Sequence, residues 1–310
     1  GIGATEFSKE SGRSELRLAC EAVSAALADC GLSPADVDGL VTFTMDTNPE
    51  IDVARALGMG ELTFFSRIHY GGGAACAVLQ QAALAVASGV ADVVVAYRAF
   101  NERSGRRFGL GTQDRPVEPT TDAVGRSWTN PYGLLTPAQQ GAMFGRRYLH
   151  EYDLTTEAFG RVAVSIRGWA ATNPKAWFYE RPITLADHQA SRWIAEPLRL
   201  LDCCLVTDGG AAVVVTSAER ARSLRKPPVY IMGFGQSHIS WEVAYRTNLT
   251  ESGARRSGEM AYRMAGIGPA DVDLVQIYDC YTIAALITLE DYGFCPKGEG
   301  GAFVQGDRLH

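Results

Sequence analysis

The stretch IGPADVDLVQIYDCYTIAALITLEDYGFC, residues 267–295, contains the pattern that decides the fold. An earlier stretch, LSPADVDGLVTFTMDTNPEIDVARALGM at residues 32–59, matches it under a constant shift of 235 residues. Under this shift Pro34 aligns with Pro269 and Gly58 with Gly293, and both copies contain the letters PADVD. One register held over this span predicts an internal repeat.

Each copy follows the same physical order. The Pro-Ala-Asp letters predict a turn. A run rich in β-forming residues comes next, and then a run with helical periodicity that ends at glycine, as a helix C-cap does. The two copies therefore predict two related α/β halves.

The copies differ where the predicted strand ends. The first ends in FTM at residues 43–45, and the second ends in YDCY at residues 278–281, four side chains that can donate, accept or react. Ligands of open α/β sheets bind outside the carboxyl ends of the strands. The second copy is therefore the better candidate for a catalytic site, with Tyr278, Asp279 and Tyr281 as its residues.

Composition narrows the class of protein. The chain has 310 residues, of which 46% are apolar and 21% charged, with a net charge of −6. These values are typical of a soluble globular protein and disfavour nucleic-acid binding. No apolar stretch is long enough for a membrane span. Seven cysteines without a CxxC pair predict a reduced, cytoplasmic protein with neither a disulfide framework nor a metal site.

The first half begins with an amphipathic helix over 14–31, capped by Ser14 and closed by Gly31. A short strand over 62–66 precedes a glycine loop. An alanine-rich helix over 74–88 follows, and then a buried strand over 92–97. Small residues around most of the alanine-rich helix predict close packing on all its sides.

The glycine loop is the candidate oxyanion site. Gly71, Gly72 and Gly73 leave backbone N–H groups open at the start of the helix, where a phosphate, a carboxylate or an enolate oxygen can bind. His69 lies beside them. The alternative is that the glycines only permit close helix packing.

Residues 98–198 break the α/β rhythm and are rich in Arg, Gly, Pro and aromatic residues. They contain two predicted helices, over 137–152 and 156–173. We interpret the region as an inserted cap over the site, with an oligomerisation arm as the alternative. Residues 1–97 and 199–225 then form the N-terminal half, in which a strand over 211–216 resumes the sheet, and residues 226–310 form the C-terminal half.

The repeat also bears on the chain ends. At the constant offset, the counterparts of the glycine loop, the alanine-rich helix and the strand after it extend past His310. The segment GIGATEFS at 1–8 is similar to GFGQSHIS at 233–240, which follows an apolar run at 229–232. We therefore expect a chain that is shortened at both ends.

These features together resemble the thiolase superfamily over nearly the whole chain. The segment LLDCCLVTDGGAAVVVTSAERA at 200–221 resembles the sterol-carrier-protein type of thiolase, and RPITLADHQASRWIAEPLRLLDCC at 181–204 resembles the bacterial lipid-transfer-protein branch. The resemblance implies a thiolase fold: two repeated βαβαβ halves in a layered α-β-α-β-α arrangement with a large inserted loop region.

Two departures from the thiolase pattern concern catalysis. The nucleophilic cysteine of thiolases aligns with Gly72, and Cys76 lies one turn further into the helix, where we expect it to be a small packed residue. The histidine of the His-Asp-Cys-Phe run of sterol-carrier-type thiolases aligns with Tyr278. Without cysteine and histidine, the pair needed for acyl transfer through a covalent intermediate is missing.

The resemblance therefore implies a steroid side-chain-cleaving retro-aldolase. Such an enzyme splits a 17-hydroxy steroid carboxyl-CoA into a 17-keto steroid and propionyl-CoA. Tyr278 would be the base or acid, Tyr281 the second choice, and Asp279 would orient Tyr278 or stabilise the turn. No cofactor is expected, because coenzyme A is part of the substrate. The implied partner is an accessory protein with an OB-fold and a zinc ribbon, joined to a homodimer of this chain.

Two other readings stay open. In one, Cys76 is a thiolase nucleophile. In the other, the chain is a catalytically silent lipid-binding or scaffold subunit. Several further side chains have structural interpretations: Arg103, Arg106 and Arg107 lie on an exposed loop rather than at CoA phosphates, His188 and His238 are lone hydrogen-bonding residues, and Cys203 and Cys204 are structural.

Overall fold

The structure is a computed structural model that describes residues 1–43, 47–69, 73–105, 124–125, 127–240 and 243–305. It contains two compact units. The first comprises Gly1–Arg107 and Val206–Met232, and the second comprises Phe108–Leu205 and Gly233–His310. Most of the inserted region and residues 233–310 of the C-terminal half thus fall in one unit, whereas 98–107 and 226–232 belong to the first unit.

Strands are concentrated in the first unit. The described strands are β1 (Ile2–Ala4), β2 (Gly39–Phe43), β3 (Phe64–Ile68), β4 (Val93–Asn101), β5 (Trp193–Ala195), β6 (Leu198–Arg199) and β7 (Asp208–Thr216). Five of them form a sheet in the order β1-β7-β4-β2-β3. In this sheet β2 is parallel to β3 and β4, and β7 is antiparallel to β4 and β1. The strands β5 and β6 form a small antiparallel pair in the second unit.

Helices occur in both units. Those of the first unit are α1 (Glu15–Cys30), α2 (Glu50–Leu57), α3 (Ala74–Ala87) and α7 (Ala218–Ala221). Those described in the second unit are α4 (Pro137–Glu151), α5 (Glu157–Thr172), α6 (Leu185–Ala190), α8 (Ala254–Ala265), α9 (Thr282–Asp291) and α10 (Gly300–Phe303). None of the helices in these described ranges has the combination of length and hydrophobicity needed to cross a bilayer.

Side chains that alternate along β2 pack against helices on both faces of the sheet. The buried side chain of Leu40 packs with the α1 residues Leu18 and Leu27, while the next residue, Val41, packs with Val78 and its neighbours on α3. Successive strand residues point to opposite faces, so β2 must be apolar throughout, and all five of its residues are buried. Helix α1 begins at Ser14, whose hydroxyl accepts the N–H of Arg17, as predicted.

Helix α3 differs from the prediction in its packing. Val78, Ala82 and Ala85 are buried against the sheet, but Cys76 and Leu84 on its other positions are exposed. The described residues of the first unit therefore cover one side of α3 and not all of it. The expectation that Cys76 is a packed residue is wrong for the described structure.

The repeat is visible in the local structure of both copies. Pro34–Asp36 and Pro269–Asp271 each form a 3₁₀ turn. The helices α2 and α9 are followed by Gly58 and Gly293, both in the left-handed region at φ +69° and +83°. These predicted turns and helix ends are confirmed.

The GIG segment at 1–3 and the GFG segment at 233–235 make the same kind of close contact with a helix. A Cβ added at Gly1 would lie 2.2 Å from the carbonyl oxygen of Ala26 on α1, and one added at Gly233 would lie 2.3 Å from that of Ala261 on α8. Both positions require glycine, because the backbone passes directly over a helix.

The predicted strand of the second copy is not formed. Residues 273–279 and 229–232 have no β-ladder, and Leu274 is 68% exposed. In the first copy, β2 is hydrogen-bonded to β3 and β4. At the constant offset, the counterpart of β3 falls on the helix α10, so it supplies no neighbouring strand.

The inserted region leaves and rejoins the sheet at neighbouring points. The register of β4 and β7 pairs Asn101 with Asp208, so both strands extend beyond the predicted ranges. The two predicted helices of the region are confirmed as α4 and α5. They pack with α9 in a core that includes Tyr148, Phe159 and Leu286.

Candidate active site

In the first unit, the structure describes part of the predicted oxyanion site. Gly73 is exposed and precedes the first residue of α3, and nothing lies within 4 Å of a Cβ added there. The alternative of close helix packing is thus not observed at Gly73. His69 is exposed and follows β3 directly. Gly71 and Gly72 lie outside the described residues.

Cys76 lies in the first turn of α3 and is exposed. The structure therefore leaves Cys76 accessible to reagents and substrates, which the sequence interpretation did not expect.

In the second unit, the run 278–281 leads directly into α9. The side chain of Tyr278 is 60% exposed and forms a hydrogen bond with the Cys280 thiol. Asp279 lies near the same thiol, but its carboxylate accepts no hydrogen bond from any described residue. Of the two roles considered for Asp279, a hydrogen bond that orients Tyr278 is not seen among the described residues, where the Tyr278 hydroxyl contacts the Cys280 thiol.

Tyr281 has a different environment from Tyr278. It is the N-cap residue of α9, and its ring is half-buried against Gly141 on α4. A Cβ added at Gly141 would lie 3.1 Å from the Tyr281 ring, so this contact depends on glycine. Burial, reinforced by the neighbouring thiols of Cys203 and Cys280, raises the pKa of the Tyr281 phenol well above its ordinary value. Tyr281 is thus a neutral hydrogen-bond donor at neutral pH.

A two-residue bridge holds the run 278–281 in place. Cys203 pairs with Tyr281 in an isolated antiparallel bridge, and the Cys204 N–H donates to the Cys280 carbonyl at 3.0 Å. Burial, together with the Asp202 charge for Cys203 and the Cys204 thiol for Cys280, raises the pKa of both thiols to about 12. Neither thiol is therefore a nucleophile at neutral pH, and the structural interpretation of the tandem cysteines agrees with this arrangement.

A buried polar network lies behind the bridge. His188 and Asp202 are almost fully inaccessible, and His188 Nε2 lies 2.7 Å from Asp202 Oδ1. The Thr282 hydroxyl, in the first turn of α9, donates to the same oxygen at 2.7 Å, and the Arg199 N–H donates to Oδ2. One carboxylate therefore joins α6, the Cys203 segment and the start of α9. His188 is thus a buried hydrogen-bonding residue, in agreement with its structural interpretation.

No local pattern in the sequence indicates this network. His188 and Asp202 are separated by 14 residues and Thr282 by 80 more from Asp202. The only usable signal is composition, since a histidine and an aspartate in apolar surroundings need partners when buried.

The arginines considered for CoA contacts lie at the start of the inserted region. The backbone N–H of Arg103 donates to Asp208 Oδ1 at 2.8 Å, and Asp208 also accepts the Ser11 and Ser104 N–H groups. Arg106 and Arg107 lie outside the described residues. Within the described ranges, no group of three or more His, Cys, Asp or Glu side chains is arranged to hold a metal ion.

Comparisons with known proteins agree with this architecture. The chain is 58% identical to the steroid side-chain-cleaving aldolase of Thermomonospora curvata, over 100% of this chain and 80% of the relative. It is also 58% identical to the 17-hydroxy-3-oxo-4-pregnene-20-carboxyl-CoA lyase of Mycobacterium tuberculosis, over 98% of this chain and 80% of that protein. The solved Ltp2-ChsH2(DUF35) aldolase superposes with a TM-score of 0.93 at 56% identity, covering 100% of this chain and 80% of the solved chain.

Two family descriptions cover nearly all of the sequence. Residues 4–219 match "Thiolase, N-terminal domain", and residues 235–310 match "Thiolase C-terminal domain-like". With a matched N-terminal domain longer than half of the chain and two matched halves in the predicted order, the chain belongs to the thiolase superfamily.

Proposed function

We infer that this chain is a retro-aldolase that acts on a steroid carboxyl-CoA. It cleaves the 17-hydroxy side chain to give a 17-keto steroid and propionyl-CoA. The observation that carries this conclusion is the 58% identity, along the entire chain, to two proteins named for side-chain cleavage and for lysis of a 17-hydroxy steroid CoA thioester.

The reaction needs one proton removed and one returned. A base takes the proton of the 17-hydroxyl, the carbon–oxygen bond becomes a carbonyl, and the bond between the ring carbon and the α-carbon of the thioester breaks. The electron pair moves into the thioester as an enolate. Protonation of the enolate carbon releases propionyl-CoA. Proton transfer by a positioned side chain contributes about 10²–10⁴-fold to such a rate.

Tyr278 is our candidate for the proton-transfer residue. It is the most exposed side chain of the run 278–281, so a substrate can reach its hydroxyl. The run precedes the N-terminus of α9, where the helix dipole favours negative charge. Tyr281 stays neutral and half-buried, so a supporting role as a hydrogen-bond donor suits it better.

The enolate oxygen needs donors that do not move during the reaction. In the first unit, the open backbone N–H groups at the start of α3, next to Gly73, are the candidates among described residues. The presence of a glycine and not a cysteine at position 72 fits a reaction with no acyl-enzyme.

We further propose that the chain works with an accessory protein. The solved aldolase that this chain matches at a TM-score of 0.93 contains a DUF35 partner by name. The proposed partner of this chain is of the same kind, with an OB-fold and a zinc ribbon, and the catalytic subunit is proposed to be a homodimer.

One observation favours a second candidate. Cys76 is exposed in the first turn of α3, which is where a thiol could attack a thioester. The second candidate is therefore an acyl-transferring thiolase with Cys76 as nucleophile.

Turnover of a 17-hydroxy steroid carboxyl-CoA by the full-length protein with its accessory partner tests both candidates. We expect wild type and Cys76→Ala to release propionyl-CoA at similar rates. Tyr278→Phe, which removes only the hydroxyl, should lower kcat by a factor of about 10² or more.

The other outcomes are equally informative. A dead Cys76→Ala variant beside a normal Tyr278→Phe variant would establish the thiolase candidate. If no variant and no wild-type preparation turns over the substrate, the chain is a binding or scaffold subunit.

A further inference from the structure

We propose that a pocket at the N-terminal turn of α4 binds the fused-ring body of the substrate. In this proposal the side-chain amide of Gln139 donates a hydrogen bond to a carbonyl at the far end of the rings. The inference rests on the proposed function and names which part of the molecule recognises the steroid.

The pocket has the size and surface of a small-molecule site. Its volume is about 430 Å³, and ligand pockets are roughly 300–1,000 Å³ and mostly apolar. Its apolar wall is formed by Trp128, Tyr132, Leu134, Met143 and Val243. All of these residues belong to the second unit, the one that contains the run 278–281.

The aromatic side chains of this pocket are unusually open. Trp128 is 64% exposed and Tyr132 is 86% exposed. Both lie around a 3₁₀ turn, Asn130–Tyr132, that ends at Gly133 with φ +78°. Large rigid aromatic surfaces gain most when a flat apolar body covers them. A fused-ring ligand would provide that cover.

Gln139 supplies an oriented amide to this mostly apolar wall, which also contains the polar side chain of Thr129. Its Oε1 accepts the N–H groups of Leu135 at 2.7 Å and Thr136 at 2.9 Å in a capping box. This fixes the amide plane, and no described residue accepts a hydrogen bond from its Nε2. A ligand acceptor is therefore the partner that the NH₂ group lacks.

The chemistry of the relatives' substrate fits this arrangement. The Mycobacterium tuberculosis lyase is named for a 3-oxo steroid with its carboxyl-CoA at position 20. The 3-oxo group and the reacting 17-carbon are at opposite ends of the four rings. A hydrogen-bond donor in the wall of a mostly apolar pocket therefore suits such a body.

Helix α4 connects this pocket with the reacting segment. Gln139 and Met143 are one turn apart and line the pocket, while Gly141 between them packs against the Tyr281 ring. The same helix therefore supports the ring pocket and the run that contains Tyr278. A shift of the bound rings would be transmitted to the position of the scissile bond.

The lack of charged side chains in the pocket argues against binding of the coenzyme A phosphates there. None of the described lining residues is an Asp, Glu, Lys or Arg. The phosphates of coenzyme A need cationic or N–H donors, so they bind elsewhere. Among the parts of the substrate, the ring body is the one that this surface suits.

The first test compares two substrates on the full protein with its partner. One is the ring-bearing 17-hydroxy carboxyl-CoA, and the other is a small tertiary β-hydroxyacyl-CoA without rings. Trp128→Ala and Tyr132→Ala should lower kcat/KM on the order of 10-fold for the first substrate, and change it little for the second. Tyr179→Ala, which removes an exposed tyrosine of the same unit outside the pocket, is the matched control.

The second test isolates the amide donor. Gln139→Glu keeps an oxygen acceptor at the N3 position of the capping box but removes the NH₂ group. We expect the preference of the enzyme for the 3-oxo substrate over its 3-deoxy analogue to fall about 10-fold. An unchanged preference would show that Gln139 does not contact the carbonyl, and would overturn this part of the proposal.

A binding measurement separates this proposal from the proposed function. Calorimetric titration with the free 17-hydroxy ring carboxylic acid, without coenzyme A, needs no turnover. Binding that is lost in Trp128→Ala supports the pocket even if the wild type is inactive. Equal losses on both CoA substrates, or loss of the accessory partner from the Trp128→Ala variant, would show that the surface serves another purpose.

Discussion

The two copies of the repeated stretch, residues 32–59 and 267–295, have the same local structure and different surroundings. Asp36 accepts the N–H of Ser33 at 2.9 Å, and Asp271 accepts the N–H of Gly268 at 2.8 Å, so both 3₁₀ turns are closed in the same way. What differs is the run that follows. Phe43 is 9% exposed at the end of a strand that pairs with β3 along its whole length, whereas Tyr278 is 60% exposed in a segment without a β-ladder.

This comparison separates local from long-range causes. The turn and the helix end depend on a few neighbouring residues, and both copies contain them. The strand depends on partners from elsewhere in the chain, and only the first copy has them among the described residues. A repeat in sequence therefore preserves the turn and helix, while the aligned aromatic residue is buried in the first copy and exposed in the second.

The largest expected difference concerns the two aligned aromatic residues. Phe43→Ala should lower the free energy of unfolding by about 3–5 kcal/mol, because it opens a cavity in the core of the first unit. Tyr278→Ala should change it by less than about 0.5 kcal/mol, because the side chain is largely exposed. Urea unfolding followed by circular dichroism would measure both. Equal losses would mean that Tyr278 is a packing residue like Phe43.

The two units also hold a buried carboxylate in opposite ways. Burial by itself would raise the pKa of Asp208 in the first unit, but donors from Ser104, Ser11 and Arg103 outweigh it and hold the pKa below its ordinary value. In the second unit, burial of Glu290 outweighs its hydrogen bonds and raises its pKa. The contribution of Asp208 to stability is present above its unfolded pKa of about 3.9. It is lost as pH falls through its lower folded pKa.

The contribution of Glu290 has the opposite sign. It is complete below the unfolded pKa of about 4.3 and is lost as pH rises through the higher folded pKa. Urea unfolding from pH 3 to pH 8 should therefore show Asp208→Asn lowering stability by about 2 kcal/mol at pH 7 and flattening the acid limb. Glu290→Gln should instead remove the part of the stability loss that occurs as pH rises through the folded pKa of Glu290. A steeper acid limb in Asp208→Asn would contradict the assignment.

A smaller difference is expected at the aspartates that follow the two turns. The Asp38 carboxylate accepts the N–H groups of Asp92 and Val93 at 2.8 Å and thereby ties the turn to β4. Its counterpart Asp273 has no hydrogen-bond partner among the described residues. Asp38→Asn should cost about 1–2 kcal/mol and Asp273→Asn less than about 0.5 kcal/mol. A reversed order in chemical denaturation would show that the two turns are not held as described.

The smallest difference is expected at the two helix-ending glycines. Gly58→Ala should lower the free energy of unfolding by about 1 kcal/mol. The space around the added Cβ is open, so the cost comes from placing alanine in a left-handed backbone conformation. Gly293→Ala should cost somewhat more, since its Cβ would lie 3.3 Å from Pro269. Thermal unfolding would resolve these shifts as a few degrees. A larger loss at Gly58 would indicate a contact that the structure lacks.

Features with local causes could be predicted from the sequence, and features that depend on long-range partners could not. The caps at Ser14, Gly31, Gly58 and Gly293 were found correctly, because each depends on residues within one turn. The His188–Asp202–Thr282 network was missed, since its members come from three separate parts of the chain. The strand predicted before Tyr278 in the second copy is not formed, because β propensity alone does not supply a hydrogen-bonding neighbour.

The candidate site was predictable to a similar extent. Alignment of the two copies makes Tyr278 a candidate, because it places this residue at the end of a strand-like run, and its catalytic role stays a prediction. Its partner Cys280 and the support of Tyr281 by Gly141 were not found, because both follow from tertiary packing. The opposite exposure of Tyr278 and Tyr281, three residues apart, could not be read from their letters.

The pairing of Asn101 with Asp208 bears on the order in which the chain assembles. The two longest strands of the first unit are joined in register across an intervening segment of about a hundred residues, and closing so long a loop is slow unless its ends are brought together first. During synthesis β7 emerges only after the entire inserted region. Helices α4 and α5 have local contacts and can form before that point. We therefore expect α4 and α5 to form ahead of the pairing of β4 with β7, so that the inserted region shortens the search that completes this sheet.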